Sequence, residues 1–579
     1  MMDRRHLLTM MSLGACFGQG VSTRSVRPLP KGKPSGLPFA SRFVDVAAEA
    51  GLKSPVIYGG VDRKDYLLET IGCGIAFFDF DNDGWLDLFV PSGVRLEGTP
   101  AFTSNRLYKN NRDGTFSDVT KKSGLGDSGW ACGVAIADYN NDGFEDLFVS
   151  YWGENKLYRN NGDGTFTDVS KEAGLAMPKR HWTTGCTFVD TNRDGHLDLF
   201  LATYVDFDPQ RVPKPGQNPN CNWKGLPVNC GPRGLVQGQF FLFRNDGKGH
   251  FTDATKAAGL AEARAYGLTA IAADFDEDGW PDLYAACDSV ASVYFKNNRD
   301  GTFAEEALPR GVAVNDDGME QAGMGLGVGD YNNDGHLDLF KTHFSDDTHI
   351  LYRNDGKGNF TDVTTRSGLG VETRFVGWGT GIVDLDNDGR PDLFVVSGSV
   401  YPEIEARLPA YPHKNPRLIF RQLPNGTFEE LIDEGGPGIR AAHSSRGCAF
   451  GDFDNDGDVD IVVMNMNEPI SLLRNDVTKG GNWIKVQLEG SKSNRSAIGA
   501  RVKVRGIGFL QVQEVMSQSS FLSSNDRRLH FGVGKLQLID VEIAWPSGAK
   551  QSFFKLQANH LIRIHESLGV THRLRPPFA

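Results

Sequence analysis

The chain has 579 residues, 39% of them hydrophobic and 10% aromatic, with 69 glycines and a formal net charge of −12. That composition excludes a disordered polymer and describes a packed, turn-rich globular protein. The acidic balance argues against a nucleic-acid partner, which would need a basic face.

Residues 1–38 read as an export signal and linker. MMDRRHLLTMMSLGACFG carries a short basic region, an apolar run from Leu7 to Ala15, and then Cys16. Arg4-Arg5 before His6-Leu7-Leu8 resembles a twin-arginine signal, and Leu13-Gly14-Ala15-Cys16 resembles a lipobox, which would place a lipid on Cys16. The chain would then be periplasmic, envelope-bound or extracellular, touching a membrane only through that anchor. No later stretch is long and apolar enough to span a bilayer. The Pro-, Gly-, Ser- and Lys-rich stretch that follows reads as a linker.

Residues 39–478 are built on one nonapeptide, DFDNDGWLD, which recurs seven times. The first copy places side-chain oxygens at Asp79, Asp81, Asp83 and Asp87, and the second at Asp138, Asn140, Asp142 and Asp146. The third uses Asp190, Asn192, Asp194 and Asp198; the fourth Asp274, Asp276, Asp278 and Asp282. The fifth uses Asp330, Asn332, Asp334 and Asp338; the sixth Asp384, Asp386, Asp388 and Asp392; the seventh Asp452, Asp454, Asp456 and Asp460. Four oxygen side chains converging in a tight turn repel one another unless a cation sits between them. All-oxygen ligation from a flexible loop points to Ca2+, up to seven ions in all. An EF-hand is excluded, because position twelve is Val90, Val149, Leu201, Ala285, Lys341, Val395 or Val463 and never the bidentate Glu. Seven divalent ions would bring the chain near neutrality.

Each repeat follows one plan: a Gly-dotted apolar strand such as CGIAFFDF, the Asp loop, a second strand, a third such as LYKNN, a hairpin turn, and a fourth such as TFTDVS. Seven four-stranded antiparallel repeats predict an all-β fold, a seven-bladed β-propeller. The third strand occurs seven times but the fourth follows only six of them. The missing copy is FVDVAAEAGL at Phe43–Leu52, so the N-terminal strand is expected to complete the last blade and close the ring. From residue 479 to 567 the repeat gives way to alternating segments, NWIKVQLEG, ARVKVRG, FLQVQEV, LIDVEIAW and HLIRIHE, which predict a small separate β domain. Residues 568–579 read as a tail.

The Asp-loop repeats resemble the FG-GAP (VCBS-type) blades of integrin-α propellers. The marks NWIKVQL, AIGARVKV, SQSSFLSSNDRRLHFGVG and WPSG resemble the ASPIC/UnbV domain. Together they resemble bacterial proteins related to cartilage acidic protein. The resemblance implies calcium in the loops and an extracytoplasmic location, and it implies no activity. It adds the backbone carbonyl of position seven (Trp85, Phe144, His196, Trp280, His336, Arg390, Asp458) to each ligand set. It also implies weaker binding where Asn stands at position three.

No motif demands catalysis: G-x-S-x-G, H-E-x-x-H and the P-loop are all missing. His343 and His349, with Asp346 and Asp347, are weighed as an acid/base or metal cluster against a solvated polar loop. A propeller-based oxidoreductase, lyase or hydrolase, with its site opposite the calcium loops, stands as the alternative to a binding, adhesion or scaffold protein. Cys73, Cys132, Cys186 and Cys448 read as buried thiols, whereas Cys221 and Cys230 bracket an insertion and read as a disulfide. Strand alternation places the Asp loops on one face and the long second-to-third-strand insertions of repeats one, three and six on the other. Trp130, Trp182 and Tyr266, each eight residues before an Asp loop, lie at strand beginnings on the insertion face. They are the candidate contacts for a glycan or extracytoplasmic protein, set against the reading that they pack under the insertions.

Overall fold

The computed structural model describes residue 26 and residues 28–576. Among them the chain is all-β apart from a few one-turn helices. Each Asp-loop repeat forms an antiparallel unit of four strands. Repeat one has Ala76–Phe78, Asp87–Val90, Arg106–Asn110 and Phe116–Asp118, in sequential order. Repeats two and three are further joined edge to edge where Trp182 pairs with Trp152. In repeat seven the strands Ser445–Gly451, Asp460–Asn465 and Ser471–Asn475 take their fourth member from the other end of the described chain. Phe43, Val44 and Asp45 pair antiparallel with Asn475, Arg474 and Leu473.

First strands are buried along most or all of their length, as in Ala131–Ala137, because they carry neighbours on both faces. Those of repeats one to four lie side by side, as do those of repeats five to seven, and the first strand of repeat seven lies against that of repeat one. The crowding explains their small residues: a Cβ on Gly133 would stand 2.3 Å from the Thr184 carbonyl oxygen. Repeated units that cannot each bury two faces alone, packed in this way, are consistent with a propeller.

Residues 482–574 form two further four-stranded sheets. One orders Leu529–Gly534, Asn482–Glu489, His560–His565 and Gly569–Leu574; the other Phe509–Glu514, Arg501–Gly506, Leu538–Ala544 and Lys550–Gln557. Strand Leu538–Ala544 shows why they pack face to face, since Ile539, Val541 and Ile543 are buried and the intervening residues are not. The stretch read as a tail contains a strand, Gly569–Leu574, paired with His560–His565. Its sequence GVTHRL alternates too weakly to announce it.

The segment from Ser517 to Asn525 leaves these sheets and enters the space between the first strands of the repeats. An innermost strand has one hydrogen-bonding edge without a neighbouring strand, and its N–H groups need partners. The segment supplies them. Val134 N–H donates to the Leu522 carbonyl, Cys186 N–H to Gln518 Oε1, Phe188 N–H to Ser517 Oγ and Thr380 N–H to Ser520 Oγ, at 2.7–3.0 Å. Ile75 and Phe450 N–H donate to Ser523 Oγ and Asn525 Oδ1 at 3.1 Å. Phe521, wholly buried, meets the Trp378 ring edge-on with centroids 5.0 Å apart. The approach is so close that a Cβ on Gly74 would overlap the Leu522 carbonyl oxygen, at 1.7 Å.

The stretch read as a free linker is tied down over its described part. Leu29 N–H donates to the Gly370 carbonyl, Lys31 pairs with Glu430, Ser35 bonds Glu429, and Arg421 Nη1 donates to the carbonyls of Leu37 and Pro38. Cys16 and the expected export signal lie outside the described residues.

Candidate metal centres and the two faces

Each Asp loop is assembled by its own backbone. The position-one carboxylate accepts N–H bonds from positions five and six, as Asp79 does from Asp83 at 2.9 Å and Gly84 at 2.8 Å. The position-five carboxylate accepts the N–H of position seven, as Asp83 does from Trp85 at 3.0 Å. Position four is left-handed in every copy, with φ of 56–61° at Asn82, Asn141, Arg193, Glu277, Asn333, Asn387 and Asn455. Asn tolerates that region better than most residues, which accounts for five of the seven. The Asn bias at position four is visible in the sequence, although the carboxylate spacing alone does not point to it.

The position-nine carboxylate accepts the N–H of the last residue of the third strand, as Asp87 does from Asn110 at 2.7 Å. That residue's side-chain amide reaches back to the preceding loop: Asn160 to Phe80, Asn245 to Tyr139, Asn297 to Thr191, Asn354 to Phe275, Gln422 to Tyr331, Asn475 to Leu385. Asn110 of repeat one donates to the Phe453 carbonyl of repeat seven at 2.8 Å. Asn455 of repeat seven donates to the Gly84 carbonyl of repeat one at 3.1 Å.

Carboxylate oxygens converge within 4.8 Å of one another in Asp79, Asp81 and Asp87, in Asp274, Asp276 and Asp278, in Asp384, Asp386 and Asp392, and in Asp452, Asp454 and Asp460. Where Asn stands at position three, its amide bonds the position-five carboxylate at 2.8 Å, as in Asn140, Asn192 and Asn332. The donor chemistry fits a hard cation. Asp81 Oδ1 and Asp454 Oδ1 are buried oxygens with no hydrogen-bond donor. Burial and the neighbouring Asp456 and Asp452 push Asp454 up to about 7. Such loops could hold metal ions through positions one, three, five and nine.

The C-terminal sheets sit on these loops. Arg495 N–H donates to Asn141 Oδ1, Arg193 Nε to the Pro546 carbonyl, Arg501 Nη1 to the Asp274 carbonyl, and Val512 N–H to Asp330 Oδ2. Gly534 N–H donates to the Asn387 carbonyl and Arg528 Nη2 to that of Asp452, while Arg563 lines a cleft with Asp79 and Gly84. All seven loops are therefore touched.

The opposite face carries the insertions. Cys221 and Cys230 form a disulfide there. Trp223, from the insertion of repeat three, meets Tyr411 of repeat six edge-on at 5.0 Å, and Lys224 pairs with Asp346. The three candidate aromatics are not open to solvent: Trp130, Trp182 and Tyr266 are 6%, 1% and 4% exposed. Trp182 is held edge-on by Tyr204 and by Phe207 of the insertion, Trp130 by Tyr58, and the Tyr266 hydroxyl donates to the Leu235 carbonyl. Trp182 and Tyr266 pack under the insertion of repeat three, and Trp130 under the segment that precedes the first strand of repeat one. His343, Asp347 and His349 are likewise buried rather than in a solvated loop, and burial lowers His349 to about 4. Cys73, Cys132, Cys186 and Cys448 are buried free thiols, as is Cys287.

An FG-GAP-like repeat model matches residues 79–149, 138–201, 234–285, 274–341, 330–395 and 411–463, and an ASPIC and UnbV model matches 490–570. Cartilage acidic protein 1 of Homo sapiens is 27% identical over 279 residues, 46% of this chain and 39% of that protein. The Xenopus tropicalis protein of the same name is 26% identical over 278 residues, 46% of this chain and 40% of its own length. The alignments thus span about two fifths of the length of these relatives. Among solved structures, an Agrocybe aegerita lectin described as recognising terminal N-acetylglucosamine is 17% identical. It covers 69% of this chain and 87% of its own, with a TM-score of 0.35. The chain belongs to the FG-GAP-repeat proteins that end in an ASPIC/UnbV domain.

Proposed function

We propose that this chain is an exported, calcium-binding scaffold that binds a glycan or an extracytoplasmic protein on its insertion face. Residues 39–478 are a closed ring of seven blades and residues 482–574 a domain docked on it. The relay of side-chain amides from Asn110 to Phe453 and from Asn455 to Gly84 supports closure between blades seven and one. Calcium suits the all-oxygen donor sets better than a softer metal, and when bound it would neutralise each loop and fix its geometry. The Cys221–Cys230 disulfide supports an oxidising compartment. Among the described residues no helix is long and apolar enough to cross a membrane.

The observation that carries the binding reading is the occupation of the Asp-loop face. The C-terminal domain touches all seven loops, and its Ser517–Asn525 segment fills the centre from that side, which leaves the insertion face for a partner. That face carries exposed apolar side chains on its connections, Phe102 at 54% and Val236 at 66% exposure. The test is a binding screen of the purified chain against glycans and envelope proteins. It is followed by Phe102→Asp with Val236→Asp, and separately by Leu568→Asp on the C-terminal domain, where Leu568 is 74% exposed. Loss of the captured ligand only in the insertion-face variant is expected. Loss only with Leu568→Asp would place the site on the other side and overturn the reading.

A further inference from the structure

Repeats one and four differ from the rest at two positions at once. The third strand carries Lys109 and Lys296 where the other repeats have Arg159, Arg244, Arg353, Arg421 and Arg474. The following hairpin carries Arg112 and Arg299 where repeats two, three and five have Gly162, Gly247 and Gly356. Both hairpin arginines are left-handed, with φ of 66° and 65°. A side chain at that backbone conformation costs free energy that glycine avoids, so its presence there needs a reason.

The structure supplies the reason in repeat four. Lys296 Nζ lies 3.1 Å from Asp276 Oδ1, 2.7 Å from Asp278 Oδ2 and 3.1 Å from Asp282 Oδ1, so it stands among loop positions three, five and nine. Arg299 Nη2 bonds Asp278 Oδ2 at 2.7 Å, and Arg310 lies 3.8 Å from Asp276. The Tyr294 hydroxyl donates to Asp282 Oδ2 at 2.5 Å, and Asp274 accepts the N–H groups of Asp278 and Gly279. Three of the other arginines bond groups outside their loops, Arg244 the Gly301 carbonyl, Arg421 the Leu37 carbonyl and Arg474 the Asp476 carboxylate, while in repeat seven Lys485 of the C-terminal sheets pairs with Asp452 at position one. Repeat one has only part of this arrangement. Lys109 bonds the carboxylates of Asp81 and Asp83 and Arg112 reaches Asp83 at 2.9 Å, but no ammonium bonds Asp87 as Lys296 bonds Asp282, and Asp81 Oδ1 stays buried without a donor.

We propose that the Asp loop of repeat four is closed by the tethered ammonium of Lys296, with Arg299 behind it, in the place where the other loops take a metal ion. This rests on the reading that those other loops bind calcium. A divalent ion entering repeat four would have to displace an ammonium already bonded to three of the four carboxylates. The loop therefore keeps its shape when calcium is withdrawn.

The test is terbium luminescence sensitised by Trp280, which is position seven of this loop, together with calcium per chain by elemental analysis after equilibrium dialysis. Wild type, Lys296→Met with Arg299→Gly, and that variant with Trp280→Phe are compared. The Lys296→Met/Arg299→Gly chain is expected to bind one more ion than wild type and to gain terbium emission that Trp280→Phe removes. Lys296→Gln alone serves as a milder variant if the double variant melts early. A wild-type chain whose terbium emission already depends on Trp280 would overturn the proposal, and so would an unchanged ion count in folded variants. Wild type without any bound calcium would instead defeat the calcium reading itself.

Discussion

Trp182 shows how far a single residue can be read. Its place at a strand beginning on the insertion face follows from the alternating direction of successive strands. Its burial does not, because the ring is covered by Phe207, which comes from an insertion whose path no local pattern dictates. Trp182→Ala leaves a cavity among Tyr204, Phe207 and Trp152, and should cost about 3–5 kcal/mol. Denaturant unfolding checks this; a change within about 0.5 kcal/mol, the size of a surface effect, would contradict the packing described. The Asp loops were more legible, since their spacing is confined to nine residues. The same confinement made the left-handed position four readable in principle.

Among the elements, the strand Phe43–Asp45 was found by counting, because a repeat with one copy too few must take it from elsewhere. Deleting residues 41–52 should remove the strand paired with Ser471–Asn475 and expose that edge. The expected outcome is a much lower melting temperature or aggregation, followed by thermal melt and light scattering. A soluble deletion with an unchanged melt would show that the seam is sealed by another strand. The segment Ser517–Asn525 was not legible as an insert. Its Ser, Gln and Asn side chains read as a surface loop, and become a set of acceptors only once first-strand N–H groups are known to face it. The pinned residues 29–38 escaped for the same reason: their partners, Gly370, Arg421, Glu429 and Glu430, stand more than three hundred residues away.

At the scale of the whole molecule, the Asp loops join the repeats and the C-terminal sheets in one electrostatic problem. Burial raises Asp79, Asp138 and Asp190 to about 6, and Asp198 and Asp330 to about 7. Unfolded Asp titrates at about 3.9. Between those values the folded metal-free chain holds more protons than the unfolded one, so its stability must fall as pH rises from about 4 to about 7. With calcium the carboxylates stay ionised and protons only compete, so the dependence should reverse. Melting temperatures across that pH window, with and without chelator, check both signs. A metal-free melt that climbs with pH would contradict the account.

The all-β, repeated architecture was legible because seven near-identical loops fix a period. The covered face was not, because docking is decided by scattered residues such as Arg495, Arg501 and Arg528 that carry no shared pattern. The most direct test of the central claim is the thermal melt of the purified chain in calcium and in EDTA at neutral pH. Ions bound only by the folded state add roughly 2.7 kcal/mol per site at a hundredfold excess over the dissociation constant. The account predicts a melting temperature lower by many degrees in EDTA and restored by added calcium; superimposable melts would contradict it.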